Sequence, residues 1–259
     1  MGRVFMSYAY ISESDQPGQI FVPKGQALAG HSIGILVLDL WYPLLPGNVA
    51  NASTYHFPVL FQILKGAKLE QVVAGDSSLL SLIIDGGREL ERQGVRAIVG
   101  ACGYFANYQK EAAAALKVPT FLSSLLQVPM IMRALKADQK VGIICAEADS
   151  LTPDTLFACG IDEPSRIAIA DAQRIPEFLN ISKSAGHFDS QSILEDLVET
   201  AKQLVSANPE VAAILLECSD MPPYAWAIQN AVRLPVFDFI TMINWIHDAV
   251  VRRPFCGFI

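Results

Sequence analysis

Two cysteines occupy matching places in two copies of one segment. VRAIVGACGYFANYQKEAAAALKVPTF begins at Val95 and VAAILLECSDMPPYAWAIQNAVRLPVF at Val211, and the two align without a gap. Cys102 falls on Cys218, Tyr108 on Tyr224, Pro119 on Pro235 and Phe121 on Phe237. In each copy the thiol follows an apolar run and precedes a helical stretch, which puts it in a strand-to-helix turn. The exposed N–H groups and the positive end of the helix dipole there favour thiolate. A cysteine accepts a proton as thiolate and donates one as thiol. Two of them facing each other over one pocket can take a proton from one face of a carbon and return one to the other. A proton alpha to a carboxylate is weakly acidic, so such a site must also stabilise an enediolate-like intermediate with pre-aimed donors. The N–H groups of Gly103, Tyr104, Ser219 and Asp220, with the Ser219 hydroxyl, are the candidates. No lysine stands in a comparable loop, so neither a pyridoxal-type cofactor nor any other is implied.

The remaining reactive side chains have plainer readings beside the chemical ones. Cys145, inside a strand, and Cys159 read as small core hydrophobes. Five cysteines without a CxxC spacing fit a reducing compartment, and four scattered histidines give no metal site. Asp39 ends the first strand on the ligand side, where it can pair with a substrate amine or cap the loop. Pro46, Gly47 and Asn48 form a turn first and a substrate contact second. Ser123 and Ser124 follow a strand and either reach the cleft or cap the next helix. Asp220, just before Met221-Pro222-Pro223, suits a helix N-cap as well as a substrate contact. Glu217 can hold a substrate ammonium or tune its neighbouring sulfur, raising the thiol pKa. His56 and His247 read as structural.

Strands and helices alternate around these residues. In the first half the pattern predicts strands over 33–38, 70–74, 97–99 and 118–122. Helices are expected over 58–65, 78–93, 104–116 and 127–137. Lys140 to Cys145 echoes Ser32 to Val37 and restarts the cycle, with strands over 166–170, 211–216 and 235–237. Helices of that half fit 153–158, 190–206 and the stretch from Tyr224. The expected fold is α/β: two pseudo-symmetric parallel-sheet lobes, residues 1–135 and 136–239, with the site in the interlobe cleft. A last helix within 240–259 returns to the first lobe, and residues 1–30 read as irregular or hairpin-like. With 259 residues, 52% apolar and 17% charged, the chain is neither disordered nor a coiled coil. A net charge of −7 without a basic stripe argues against nucleic acid. No apolar run has the length of a membrane span, and no leader signature is present. A cytoplasmic enzyme is expected.

GACGYFANYQ around Cys102, LECSDMPPYAWAIQ around Cys218 and LDLWYPLLPGN after the first strand resemble the aspartate/glutamate/hydantoin racemase superfamily. The resemblance runs over residues 32–250, toward a branch with a Pro-Gly-Asp/Asn loop and a Leu-Glu-Cys-Thr-like second motif. It implies two α/β lobes, cofactor-independent proton transfer by a cysteine pair, and a homodimer. Cys102 and Cys218 match the two catalytic cysteines, and Gly103 and Ser219 the positions after them that help bind substrate carboxylate. The Asp-Ser pair that holds the substrate amine in glutamate racemases is here Asp39-Leu40. The leading expectation is an isomerase, a racemase or epimerase of a small carboxylate-bearing substrate of amino-acid or hydantoin type. A maleate-type cis–trans isomerase, a malonate-type decarboxylase or another lyase on this scaffold, and a binding protein without catalysis are the alternatives.

Overall fold

The computed structural model describes residue 22 and residues 24–253 and 255–259. Most of the stretch expected to be irregular or hairpin-like, 1–30, lies outside them. The first lobe runs through β1 (Ile33–Leu38), β2 (Val59–Leu64), α1 (Leu69–Val73), α2 (Leu80–Arg92), β3 (Ala97–Gly100), α3 (Gln109–Ala115), β4 (Thr120–Phe121) and α4 (Val128–Ala134). The second contains β5 (Lys140–Cys145), α5 (Pro153–Ala158), β6 (Ile167–Asp171), α6 (Pro176–Ser182), α7 (Ser190–Ala207), β7 (Val211–Leu216), α8 (Ala225–Val232) and β8 (Val236–Phe237). The last helix is α9 (Phe239–Val250). Each lobe has a four-stranded parallel sheet, ordered β2-β1-β3-β4 in the first and β6-β5-β7-β8 in the second. The two orders are the same topology twice.

The central strands are unbroken apolar runs because helices cover both faces of a parallel sheet. β1 reads IGILVL and is buried except at Val37, and β3 (AIVG) is buried throughout. Ile33 pairs with Val59 on one side and Ala97 on the other, which sets the register of the first sheet. One apolar core crosses between the lobes, joining Ile98 and Leu122 of the first to Val141, Ile143 and Leu215 of the second. Helix α9 packs on the first lobe. Phe239, Met242, Ile243 and Ile246 lie against Ile33, Ile35, Ala97 and Val99. Asp238 caps its start by accepting the Thr241 N–H at 2.8 Å, and His247 stacks on Phe57 with ring centroids 3.5 Å apart. Among the described residues no helix is long and apolar enough to cross a membrane.

Two elements of the first lobe are exchanged relative to the sequence pattern. Residues 58–65, expected as a helix, hold strand β2, and 70–74, expected as a strand, fall in helix α1. Pro58 suggests a helix start, but a proline is equally at home just before an edge strand, where its missing donor costs nothing. The run VLFQIL then pairs in parallel along all of β1. Helix α1 is fixed by its ends: the Lys68 N–H donates to the Gln71 side chain, and Gly75 follows at φ +65°. Helix α6 had no counterpart in the sequence pattern, and it proves to border the site.

Candidate active site

The carboxyl ends of β1, β3, β5 and β7 open onto a cavity of about 120 Å³, an order of magnitude more than a single water needs. Both repeated cysteines line it. Cys102 follows β3 and Cys218 follows β7, so the duplication delivers one sulfur from each lobe to the same space. Cys102 is buried and Cys218 half-buried. Leu38, Leu40 and Tyr42 reach the cavity from the loop after β1, Ala146 and Glu147 from the loop after β5, and Phe178 and Ile181 from α6. Among the described residues that line it, the charged side chains are Glu147, Glu217 and Asp220, with no lysine, arginine or histidine. Nor does any cluster of three or more His, Cys, Asp or Glu among the described residues suit a metal ion.

The loops bearing the sulfurs are tied to each other. The Ser219 hydroxyl donates to the Ala101 carbonyl at 3.0 Å. The Ser124 hydroxyl lies 3.1 Å from the carbonyls of both Leu216 and Glu217. The Tyr104 hydroxyl donates to the Glu147 carbonyl at 2.6 Å and accepts that residue's N–H at 2.7 Å. Gly103 is obligatory in this seam, since a Cβ there would collide with the Glu217 carboxyl.

Asp220 is the best-held carboxylate of the site. Its Oδ1 accepts from the Tyr42 hydroxyl at 2.9 Å and from Asn48 Nδ2 at 2.5 Å, while its Oδ2 faces the Cys218 thiol at 3.5 Å. Burial raises its pKa, and the three donors, Tyr42 first, oppose that rise. Glu217 is fully buried, and one N–H donor, from Ala146 at 3.3 Å, reaches its Oε2. Its Oε1 has no partner. Burial lifts its pKa to about 8, with the nearby Asp220 charge adding to the rise. Burial thus raises both carboxyls, with three side-chain donors opposing the rise at Asp220 and a single backbone N–H opposing it at Glu217.

The thiols differ from the sequence expectation in charge. N–H groups do point at them, those of Tyr104 and Phe105 at Cys102 and that of Asp220 at Cys218, and each lowers the sulfur pKa. Burial outweighs them, followed by Glu217 at Cys102 and Asp220 at Cys218, so both thiols are pushed well above their ordinary value. Both are protonated at neutral pH. The Asp220 charge raises the Cys218 thiol further, while its Oδ2, at 3.5 Å, is within reach of the thiol proton.

Several expected contacts lie elsewhere. Asp39 is exposed and does not line the cavity, because the chain turns after Leu38 and presents Leu40 and Tyr42 instead. Pro46 is exposed, and Gly47, at φ +100°, packs its backbone on Pro223. Asn48 acts on Asp220, so the Pro-Gly-Asn turn supports a carboxylate and does not touch the cavity itself. Ser123 is fully buried and caps the short helix Ser124–Gln127 through the Leu125 N–H. Asp220 is no N-cap: Met221 takes that position in the turn Pro222–Tyr224. The Ser219 hydroxyl closes the seam between lobes. Gly103, Tyr104, Ser219 and Asp220 do line the cavity with the two cysteines. Tyr42, Glu147 and Phe178 complete the lining and were not foreseen, since a tyrosine in a proline-rich loop and a short helix carry no spacing signal.

No protein-family model matches the chain. Among solved structures, a glycine-to-cysteine variant of arylmalonate decarboxylase superposes with a TM-score of 0.56 at 16% identity, over 84% of this chain and 92% of the other. Glutamate racemase of Francisella tularensis gives a TM-score of 0.52 at 14% identity, over 87% and 85%. The fold is therefore that of the aspartate/glutamate racemase superfamily. Sequence similarity points to a further group of enzymes. Dimethylsulfoniopropionate lyase 7 of Emiliania huxleyi is 32% identical over 236 residues, covering 87% of this chain and 69% of the relative. Dimethylsulfoniopropionate lyase 6 of that alga is also 32% identical, with 61% of its length covered. The lyase of Durusdinium sp. clade D is 30% identical, with 77% covered.

These relatives overturn the expected racemase activity and the isomerase class, since they are named for breaking a bond and not for inverting a centre. Inversion and elimination open with the same step, removal of a proton beside a carboxylate, so the cysteine pair alone does not separate them. The site itself is one-sided: among the described residues, only Cys218 of the two thiols is hydrogen-bonded to a carboxylate. By its similarity along 87% of its length, the chain belongs to the dimethylsulfoniopropionate lyase family.

Proposed function

We propose that this chain cleaves dimethylsulfoniopropionate, or a closely similar sulfonium carboxylate, by β-elimination. The observation that carries the reading is the charge of the cavity, which is lined by carboxyl groups and aromatic rings without a basic side chain among the described residues. A fixed sulfonium cation would favour the ionised form of Asp220 and suits the rings of Tyr42, Tyr104 and Phe178 in the lining. Family membership supplies the substrate class.

The steps follow from which groups can move a proton. Cys218 passes its thiol proton to Asp220 Oδ2 and, as thiolate, takes the proton from the carbon next to the substrate carboxylate. The C–H electron pair becomes the new carbon–carbon double bond. The bond from the next carbon to sulfur breaks with its pair staying on sulfur, and dimethyl sulfide leaves neutral. Acrylate and one proton are the other products. The leaving group needs no proton, so a single base suffices and Cys102 serves as a neutral wall and donor across the pocket.

The test is direct. Purified protein incubated with dimethylsulfoniopropionate should release dimethyl sulfide and acrylate in equal amounts, read by gas chromatography and proton NMR. The uncharged thioether 3-(methylthio)propionate should be left intact, because thiolate is a far poorer leaving group. Absence of both products from the sulfonium substrate would defeat the reading. A further expectation concerns the seam: Gly103→Ala forces the Glu217 carboxyl aside and should lower kcat/KM about 10²-fold, as displacements near 1 Å do in pre-organised sites.

A further inference from the structure

Resting on the lyase reading, we propose that Glu217 is a catalytic residue that acts as a neutral carboxylic acid, donating its proton in a hydrogen bond to the substrate carboxylate. A substrate carboxylate entering this cavity meets no cation among the described residues, so uncharged donors must receive it. The hydroxyls lining the cavity already have acceptors. Tyr42 donates to Asp220, Tyr104 to the Glu147 carbonyl, Ser219 to the Ala101 carbonyl and Ser182 to the Leu179 carbonyl. Gln173, at the exposed rim, gives an amide hydrogen to Glu147. Beside the backbone N–H groups of the two turns, the side-chain donors that remain are the thiols, which are weak, and the carboxyl of Glu217.

The surroundings of Glu217 disfavour an anion. Its Oε2 accepts the Ala146 N–H, and its Oε1 is buried without a partner against Gly103, in the wall of the cavity. A lone N–H is poor compensation for a fully buried carboxylate, whereas a proton on Oε1 removes the charge and supplies a donor. The close approach that only a glycine at 103 permits holds this oxygen in place. The titratable groups that feel it are Cys102 in the turn after β3, Tyr104 in the helix Gly103–Tyr108, Cys145 at the end of β5, Cys159 after α5, and its neighbours Cys218 and Asp220. None of these is a cation. When the proton next to the substrate carboxylate is removed, negative charge builds on the carboxylate oxygens, and a neutral acid hydrogen-bonded to them would stabilise the transition state more than the ground state. One ionised carboxylate, Asp220, then matches one sulfonium, and one neutral acid matches one carboxylate.

The acid form is the working form, so carboxylate binding and kcat/KM should decline as pH rises through about 8. Glu217→Gln keeps a donor and an acceptor of the same shape without a titration. It should retain kcat/KM within about tenfold of the parent at pH 7 and lose the alkaline decline, while Glu217→Leu should fall by about 10²–10³-fold. If Glu217→Gln is as impaired as Glu217→Leu, Glu217 serves as an anion, for instance as counter-ion to the sulfonium, and the proposal is wrong. It is equally wrong if the alkaline decline persists in Glu217→Gln. Calorimetry of acrylate binding to the unaltered protein decides the point independently of turnover and of variant folding. At pH 9, in two buffers of different ionisation enthalpy, uptake of a proton on binding supports the acid, and binding without uptake, or no binding, overturns it. Should the parent protein release no dimethyl sulfide, the lyase reading falls and the calorimetric result still decides the role of Glu217.

Discussion

Cys218→Ala should lower the rate of dimethyl sulfide release by about 10³–10⁴-fold, near the upper end of what a positioned general base contributes. The residue is the one thiol of the pair with a hydrogen bond to a carboxylate, 3.5 Å from Asp220 Oδ2. Without it the α-proton loses the base that the scheme places beside the Asp220 carboxyl. Cys102→Ser should be the milder change, about tenfold, because an elimination with a neutral leaving group has no second proton to deliver. Steady-state assays of both variants by gas chromatography, with substrate varied, check the contrast. Equal and total loss in both would mean that the two sulfurs share the proton transfer and would refute the one-base scheme.

The second large effect belongs to Asp220→Asn, with kcat expected to fall about 10²–10³-fold. The substitution preserves shape, and the Tyr42 and Asn48 donors still find an oxygen, but the acceptor for the Cys218 proton is gone. Burial holds that thiol far above its usual range, and loss of the Asp220 charge only partly relieves the rise. Thiolate must then come from hydroxide. The residual rate should climb close to tenfold per pH unit up to about pH 8 and level off above it, where ionisation of Glu217 offsets the gain in thiolate, in place of the parent protein's alkaline decline. Tyr42→Phe and Asn48→Ala remove one supporting donor each and should cost less, because the carboxylate stays. A pH profile of Asp220→Asn parallel to that of the parent would show that the carboxylate merely orients the loop.

The doubled segment made the two lobes and the shared cleft readable, because a gapless match of strand, turn and helix transmits both topology and the place of the thiol. β1, β5 and β7 stood out as apolar runs for the same reason that they are covered on both faces. What misled was short or peripheral. Edge strand β2 and five-residue α1 exchanged identities because Pro58 fits either start. Helix α6 went unseen since seven residues give too few turns for a periodic signal, yet Phe178 and Ile181 on it face the substrate space. Within the site, Cys102, Gly103, Tyr104, Cys218, Ser219 and Asp220 were found from their turns, whereas Asp39 was misplaced by the direction of a single loop. Charge state lay beyond the pattern altogether, since the sulfur pKa is decided by burial and by Glu217 and Asp220, and both depend on how the lobes close on each other.

The hydrogen bonds from Ser219 to Ala101 and from Ser124 to Leu216 and Glu217 have a corollary. Each half of the duplication supplies one sulfur and also buttresses the turn carrying the other. A fragment cut between the repeats would strip each turn of its buttress and open the apolar core that the lobes share, so neither half holds its sulfur in place alone.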